Sequence, residues 1–110
     1  MLKAENRIGK RKEFEEVMAS GRMLSTPLLG FKYLVKNDEE KRLGIIVSKK
    51  ISKKAVVRNK IRRRWYEAVA KMLSELPVGL RGVALVKKTI IDKKTEEIGI
   101  EAKAMFGKLK

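Results

Sequence analysis

The chain has neither cysteine nor histidine among its 110 residues. The first absence removes disulfides and thiolate metal sites, and with them any sign of an oxidising compartment. The second removes the commonest general base and the commonest metal ligand. Proline occurs only twice and no Pro/Gly/Ser-rich linker divides the sequence, so residues 1–110 read as a single domain. No apolar run approaches the roughly 20 residues that span a bilayer. The opening MLKAENRIGKRKEF also lacks the apolar stretch of a signal peptide. A cytoplasmic protein with no membrane segment is therefore expected. Aromatic residues make up 5% of the chain and hydrophobic residues 44%, enough for a modest core.

Acidic residues are scarce, and their distribution is uneven. There are 13 Asp and Glu against 28 Lys and Arg, a formal net charge of +15. Residues 41–66 contain no acid at all, yet they carry Lys41, Arg42, Lys49, Lys50, Lys53, Lys54, Arg58, Lys60, Arg62, Arg63 and Arg64. So concentrated a positive surface repels itself, and a polyanionic partner that neutralises it is the simplest explanation.

Hydrophobic periodicity gives the elements. Phe14, Val17 and Met18 at i, i+3 and i+4 predict a helix over 10–20, with Gly21 as its stop. Leu29, Phe31, Tyr33 and Val35 alternate and predict a strand over 28–35 with all four on one face. A turn at 37–40 leads to a second strand over 42–48 and then to a basic loop over 49–54. Ala55, Val56 and Val57 either pair as a short strand or lead into the next helix. That helix is predicted over 58–76, with Ile61, Trp65, Ala68, Val69 and Met72 on its inner stripe and Trp65 as a core residue. Pro77 and Gly79 end it; a strand over 82–87 and a helix over 95–109 complete the chain. The order implies an α+β fold (an α/β sandwich) with one small sheet partly covered by helices.

On a helical wheel, Lys60 and Arg63 point away from the apolar stripe, and Arg62 and Arg64 flank it on opposite borders. Arg58 and Asn59 fall at the predicted helix start, where free backbone N–H groups attract phosphate. A solvated face laced by ion pairs would need acids nearby, and the first is Glu67. A DNA-reading helix would need side chains for base edges, but Asn and Gln are few. A reader of structured RNA through its backbone fits better. Glu13, Glu15 and Glu16 lie close in sequence, but their expected place is the surface of the first helix. No catalytic residue and no protein-held metal is assigned.

The run Arg42-Leu43-Gly44-Ile45-Ile46-Val47-Ser48-Lys49-Lys50, followed by Ala55-Val56-Val57-Arg58-Asn59-Lys60-Ile61-Arg62-Arg63, closely resembles the signature of the bacterial ribonuclease P protein subunit. Arg7-Ile8, Phe14, Val17, Met18 and Gly21 fit that family's first helix. The link Ile51-Ser52-Lys53-Lys54 is one residue longer than the family's and lacks its Gly, and Tyr66 stands where the family often has Arg. The resemblance implies the order αβββαβα with a left-handed βαβ crossover. It implies a protein monomer within a ribonucleoprotein that removes the 5′ leader of precursor tRNA, the hydrolysis being carried by a catalytic RNA and its Mg²⁺. The basic loop and helix, with Lys49, Lys50, Lys53, Lys54, Arg58, Asn59, Lys60, Arg62, Arg63 and Arg64, would bind that RNA. A cleft between the first helix and the sheet would hold the leader. Its candidates are Phe14 and Met18, which are either core or cleft, and Lys32 or Tyr33, according to the register of the strand. The alternative is a ribosomal or other structural RNA-binding protein with no part in tRNA processing.

Overall fold

The computed structural model describes residues 2–109. An N-terminal arm with a 3-10 turn at Ala4–Asn6 leads into α1 (Arg11–Ser20). The strands β1 (Arg22–Ser25), β2 (Leu29–Val35) and β3 (Arg42–Ile46) follow, then α2 (Ala55–Ala70), β4 (Leu80–Val86) and α3 (Thr95–Phe106). The four strands form one mixed sheet in the order β1-β2-β4-β3. β1 with β2 and β2 with β4 are antiparallel, while β3 and β4 are parallel. A parallel pair needs a crossover connection, and α2 supplies it.

The two-residue period of the strands sorts their side chains to opposite faces. Leu29, Phe31 and Tyr33 of β2 join Leu43, Ile45, Leu80 and Ala84 on one face. Against them pack Ile61, Trp65, Ala68 and Val69 of α2 and Ile98, Ala102, Met105 and Phe106 of α3. Phe31 lies at the centre, stacked on Tyr33 at 6.0 Å and edge-on to Phe106 at 5.3 Å, with Trp65 at 6.3 Å. Full burial of a side chain such as Phe31 is worth roughly 1.5–3 kcal/mol. The other face is only partly covered. There Val17 of α1 and Ile8 of the arm pack on Val83, with Phe14, Met18, Leu34 and Leu85 around them.

The boundaries differ from the expected ones for local reasons. β1 escapes the sequence pattern because Arg22–Ser25 is a four-residue edge strand with no fully buried residue to set a period. Val35 keeps the alternation of β2 but is 51% exposed, because it ends the strand. Ala55 opens α2 rather than a strand, so the helix begins well before residue 58. It ends at Ala70, and a 3-10 turn at Leu73–Glu75 carries the chain onward, with Met72 still buried. Val47 is buried just beyond the end of β3. α3 closes at Phe106, and Leu109 packs on the core from beyond it. Gly79 has φ +89°, and a Cβ there would lie 2.0 Å from the Lys36 carbonyl oxygen, so the turn into β4 requires glycine. Gly21 has an ordinary extended φ of −73°. It is needed instead for closeness, since a Cβ would lie 2.4 Å from the Val17 carbonyl oxygen.

Candidate nucleic-acid interface

From residue 49 onward the basic block lies on the loop 49–54 and α2, whereas Arg42 is set apart from it, paired with Glu13 and Glu40, and Lys41 donates to the Leu73 carbonyl. Lys49, Lys50, Lys53, Lys54, Asn59, Lys60 and Arg63 are exposed, and Arg58, Arg62 and Arg64 are half-buried at the borders. The half-buried side chains are held in place. Arg58 donates to the Ser52 carbonyl at 2.9 Å and so braces the loop onto the helix. Arg62 donates to Asn59 Oδ1 at 2.8 Å, within its own helix. Arg64 donates to the Lys93 carbonyl at 2.7 Å, which turns it toward the segment before α3. None of these cations is in an ion pair with a carboxylate among the described residues.

The helix start departs from expectation. Arg58 and Asn59 lie inside the first turns, and the free N–H groups belong to the turn that opens at Ala55. The N-cap is Lys54, with no side-chain cap and no acid in the first turn. Ser52 Oγ instead accepts the Lys54 N–H at 3.2 Å. The positive end of the helix dipole thus adds to Lys53 and Lys54 rather than being neutralised.

The second candidate region lies on the half-covered face. The register of β2 is settled by the core: Tyr33 packs with Phe31 on the α2–α3 side, so Lys32 faces α1. Lys32 Nζ donates to the Met18 carbonyl at 2.6 Å, near the C-terminal end of α1. An ammonium has three donors, so two remain for another partner. Tyr33 therefore does not share the groove with Lys32; it is 9% exposed and reaches the surface only beside Ser20, Arg22 and Val35. Phe14 and Met18 are both half-buried, at the lip of α1. The Phe14 ring lies over Gly44 of β3, where a Cβ would come within 2.9 Å of it. Met23, 51% exposed on β1, extends over Gly30 beside Lys32 and adds an apolar wall that the sequence did not disclose. Trp65, by contrast, is fully buried and belongs to the core.

The floor of this groove is joined to α1 by ion pairs. Arg81 of β4 is 2% exposed. It donates to Glu13 at 3.1 Å and to Asp38 at 2.7 Å, and it reaches Glu40 at 3.4 Å. Arg42 of β3 bridges Glu13 at 3.2 Å and Glu40 at 2.6 Å. Glu13 is thus an internal anchor of α1, while Glu15 and Glu16 pair at the surface with Arg11 and Lys36. The hydrogen bond from Arg81 holds the Asp38 carboxyl below its ordinary range. Burial pulls the Arg81 guanidinium down, but the bonds to Asp38 and Glu13 outweigh it and raise it.

An α+β sheet with a cationic helix on one side, free of ion pairs to its cations 58–64 among the described residues, and a half-open groove on the other fits the class of small RNA-binding proteins of ribonucleoproteins. The chain belongs to the ribonuclease P family, whose sequence profile, described as Ribonuclease P, it matches over residues 2–110. The ribonuclease P protein component of Pseudanabaena sp. (strain PCC 6903) is 35% identical over 111 residues, covering 100% of this chain and 96% of that protein. That of Carboxydothermus hydrogenoformans is 41% identical over 75 residues, covering 66% and 63%. In fold, the chain is similar to the RNase P protein of Staphylococcus aureus, with a TM-score of 0.81, 24% identity and 93% of each chain covered. It is also similar to that of Thermotoga maritima, with a TM-score of 0.84, 20% identity and 94% and 97% covered. No helix among the described residues is long and apolar enough to cross a membrane.

Proposed function

We propose that this chain is the protein subunit of a ribonuclease P holoenzyme, docking the catalytic RNA on the loop 49–54 and α2 and the 5′ leader of precursor tRNA in the groove beneath α1. The observation that carries this reading is the placing of the two surfaces on opposite faces of one sheet. On α2, Lys60 and Arg63 are exposed and Arg58, Arg62 and Arg64 line the borders, none of them in an ion pair among the described residues. On the other side Phe14 lies over Gly44 of β3 and Lys32 of β2 reaches the Met18 carbonyl, so an unpaired base could stack on an aromatic or sulfur-bearing side chain and a phosphate could meet an ammonium along the groove. The protein would act as a cytoplasmic monomer within the ribonucleoprotein. Mg²⁺ would be held mainly by the RNA, whose phosphates are the hard oxygen ligands this ion prefers. The test is to add the purified chain to a catalytic ribonuclease P RNA. Leader cleavage at low Mg²⁺ is the expected result. Tight RNA binding without any gain in cleavage would favour a structural RNA-binding protein instead.

The groove has its own test. Replacing Phe14 by Ala is expected to weaken precursor tRNA binding to the holoenzyme more than mature tRNA binding, because only the first carries a leader. Loss of one stacked base is worth about 1–3 kcal/mol. A Phe14 serving only the fold would leave a cavity costing about 3–5 kcal/mol, and both substrates would suffer together. The ratio of the two dissociation constants, read beside a melting curve, separates these cases. An unchanged ratio with a lowered melting temperature would remove Phe14 from the leader site.

A further inference from the structure

Arg58, Arg62 and Tyr66 stand at i, i+4 and i+8 on α2 and form one stripe along its surface. Its members are spaced by about one turn, roughly 5.4 Å of helix rise. The run of cations breaks at Tyr66. A cation from elsewhere fills the break: the guanidinium carbon of Arg7 lies 4.6 Å from the centre of the Tyr66 ring. Both Arg7 and Arg62 are close enough to act on the Tyr66 hydroxyl, whose pKa is raised by burial against the pull of these two charges.

Arg7 is held there by several independent contacts. Its Nε and Nη2 donate to the Leu2 carbonyl at 3.0 and 2.7 Å, and Leu2 is itself buried in the main core. The backbone at Arg7 pairs in parallel with Leu43 on the free edge of β3, and the Ile8 N–H donates to the Leu43 carbonyl at 3.0 Å. Arg7 has no carboxylate partner among the described residues. A guanidinium that is stacked on a ring, fixed by a carbonyl and left unneutralised keeps an open edge for an oxyanion and has little freedom to lose on binding it.

We propose that Arg7, carried by the N-terminal arm and seated on Tyr66, is a further phosphate-binding residue for the RNA subunit that continues the stripe of Arg58 and Arg62. This rests on the docking of RNA to α2 proposed above. The experiment measures binding of the full-length chain to catalytic ribonuclease P RNA over a series of salt concentrations. Arg7→Gln keeps a donor for the Leu2 carbonyl but removes the charge. It is expected to weaken binding about tenfold and to flatten the log–log salt slope by roughly 0.7–0.9, the equivalent of one phosphate. Tyr66→Phe keeps the platform and should bind like the parent, while Tyr66→Ala should weaken binding severalfold. The decisive variant is Arg7→Gln with Tyr66→Arg, which puts a guanidinium back on the stripe from the helix itself. Recovery of both affinity and slope is expected. An unchanged slope in Arg7→Gln, or no recovery in the double variant, would reduce Arg7 to a strut for the arm. If Arg58→Ala with Arg62→Ala also left binding intact, the docking of RNA on α2 would itself be wrong. If that pair weakened binding and Arg7→Gln did not, only the role of Arg7 would fall.

Discussion

Replacing Arg58, Arg62 and Arg63 together by Ala is expected to weaken assembly with the catalytic RNA at least a hundredfold while leaving the fold in place. Arg63 is exposed, and Arg58 and Arg62 are half-buried at the border of the same surface. A hydrogen bond from a charged group is worth about 1.5–3 kcal/mol when its partner is lost. Three neighbouring contacts do not add fully, so about 3 kcal/mol is a conservative sum, and each 1.4 kcal/mol is roughly tenfold in affinity. The salt slope should fall by roughly 2 to 3, at 0.7–0.9 per phosphate. In the free protein the losses are small. Arg58 gives up one bond to the Ser52 carbonyl and Arg62 one to Asn59, and Arg63 has no hydrogen bond to protein among the described residues. Circular dichroism should stay native. A triple variant that binds the RNA like the parent would show that α2 is not the docking face.

The legibility of this chain was uneven in a way that follows the physics. Regular burial left a clear trace. The alternation of Leu29, Phe31 and Tyr33 and the stripe of Ile61, Trp65, Ala68 and Val69 both ended in the same core. The cationic helix was also visible, because a block without acids is a property of the sequence itself. Contacts between distant residues left almost no trace. Nothing local tells that Arg81, within the apolar run of β4, meets Glu13 of α1 and Asp38 of the turn between β2 and β3. The same holds for Arg7 over Tyr66. Consecutive strand residues always take opposite faces, so the sequence leaves open only which of Lys32 and Tyr33 meets the groove, and the packing of Tyr33 on Phe31 in the core gives that place to Lys32. Edge strand β1 leaves no period, because neither side of it is buried deeply enough to impose one, and only the αβββαβα order implied by the resemblance contains it.

Arg81→Ala should destabilise the fold by about 3 kcal/mol, at the lower end of the 3–5 kcal/mol found when one partner of a buried ion pair is removed. The guanidinium is almost fully enclosed, but two of its partners, Asp38 and Glu40, are in contact with solvent, which limits the penalty for leaving them unpaired. Glu13 is the partner that suffers most: its side chain is 11% exposed and would keep only Arg42. Because Glu13 precedes Phe14 on α1, the helix should also lose its fixed height over the sheet, and leader discrimination should fall along with the melting temperature. Removing the charges together should cost less. Arg81→Met with Glu13→Leu leaves no buried unpaired carboxylate, so it should recover much of the lost stability. The pH dependence has a definite sign. The Asp38 carboxyl is held below its ordinary value of 3.8 by the Arg81 bond. Its contribution is therefore complete above about pH 4 and is lost as pH falls through the lowered folded value. The parent should weaken progressively in acid, and Arg81→Ala should lose that part of the acid response. Urea titrations of the parent and both variants at pH 7 and pH 3 measure the stability changes, and the ratio of precursor to mature tRNA dissociation constants of the holoenzyme measures the discrimination. An Arg81→Ala protein as stable as the parent at pH 7 would mean that Arg42 alone suffices to hold α1 on the sheet.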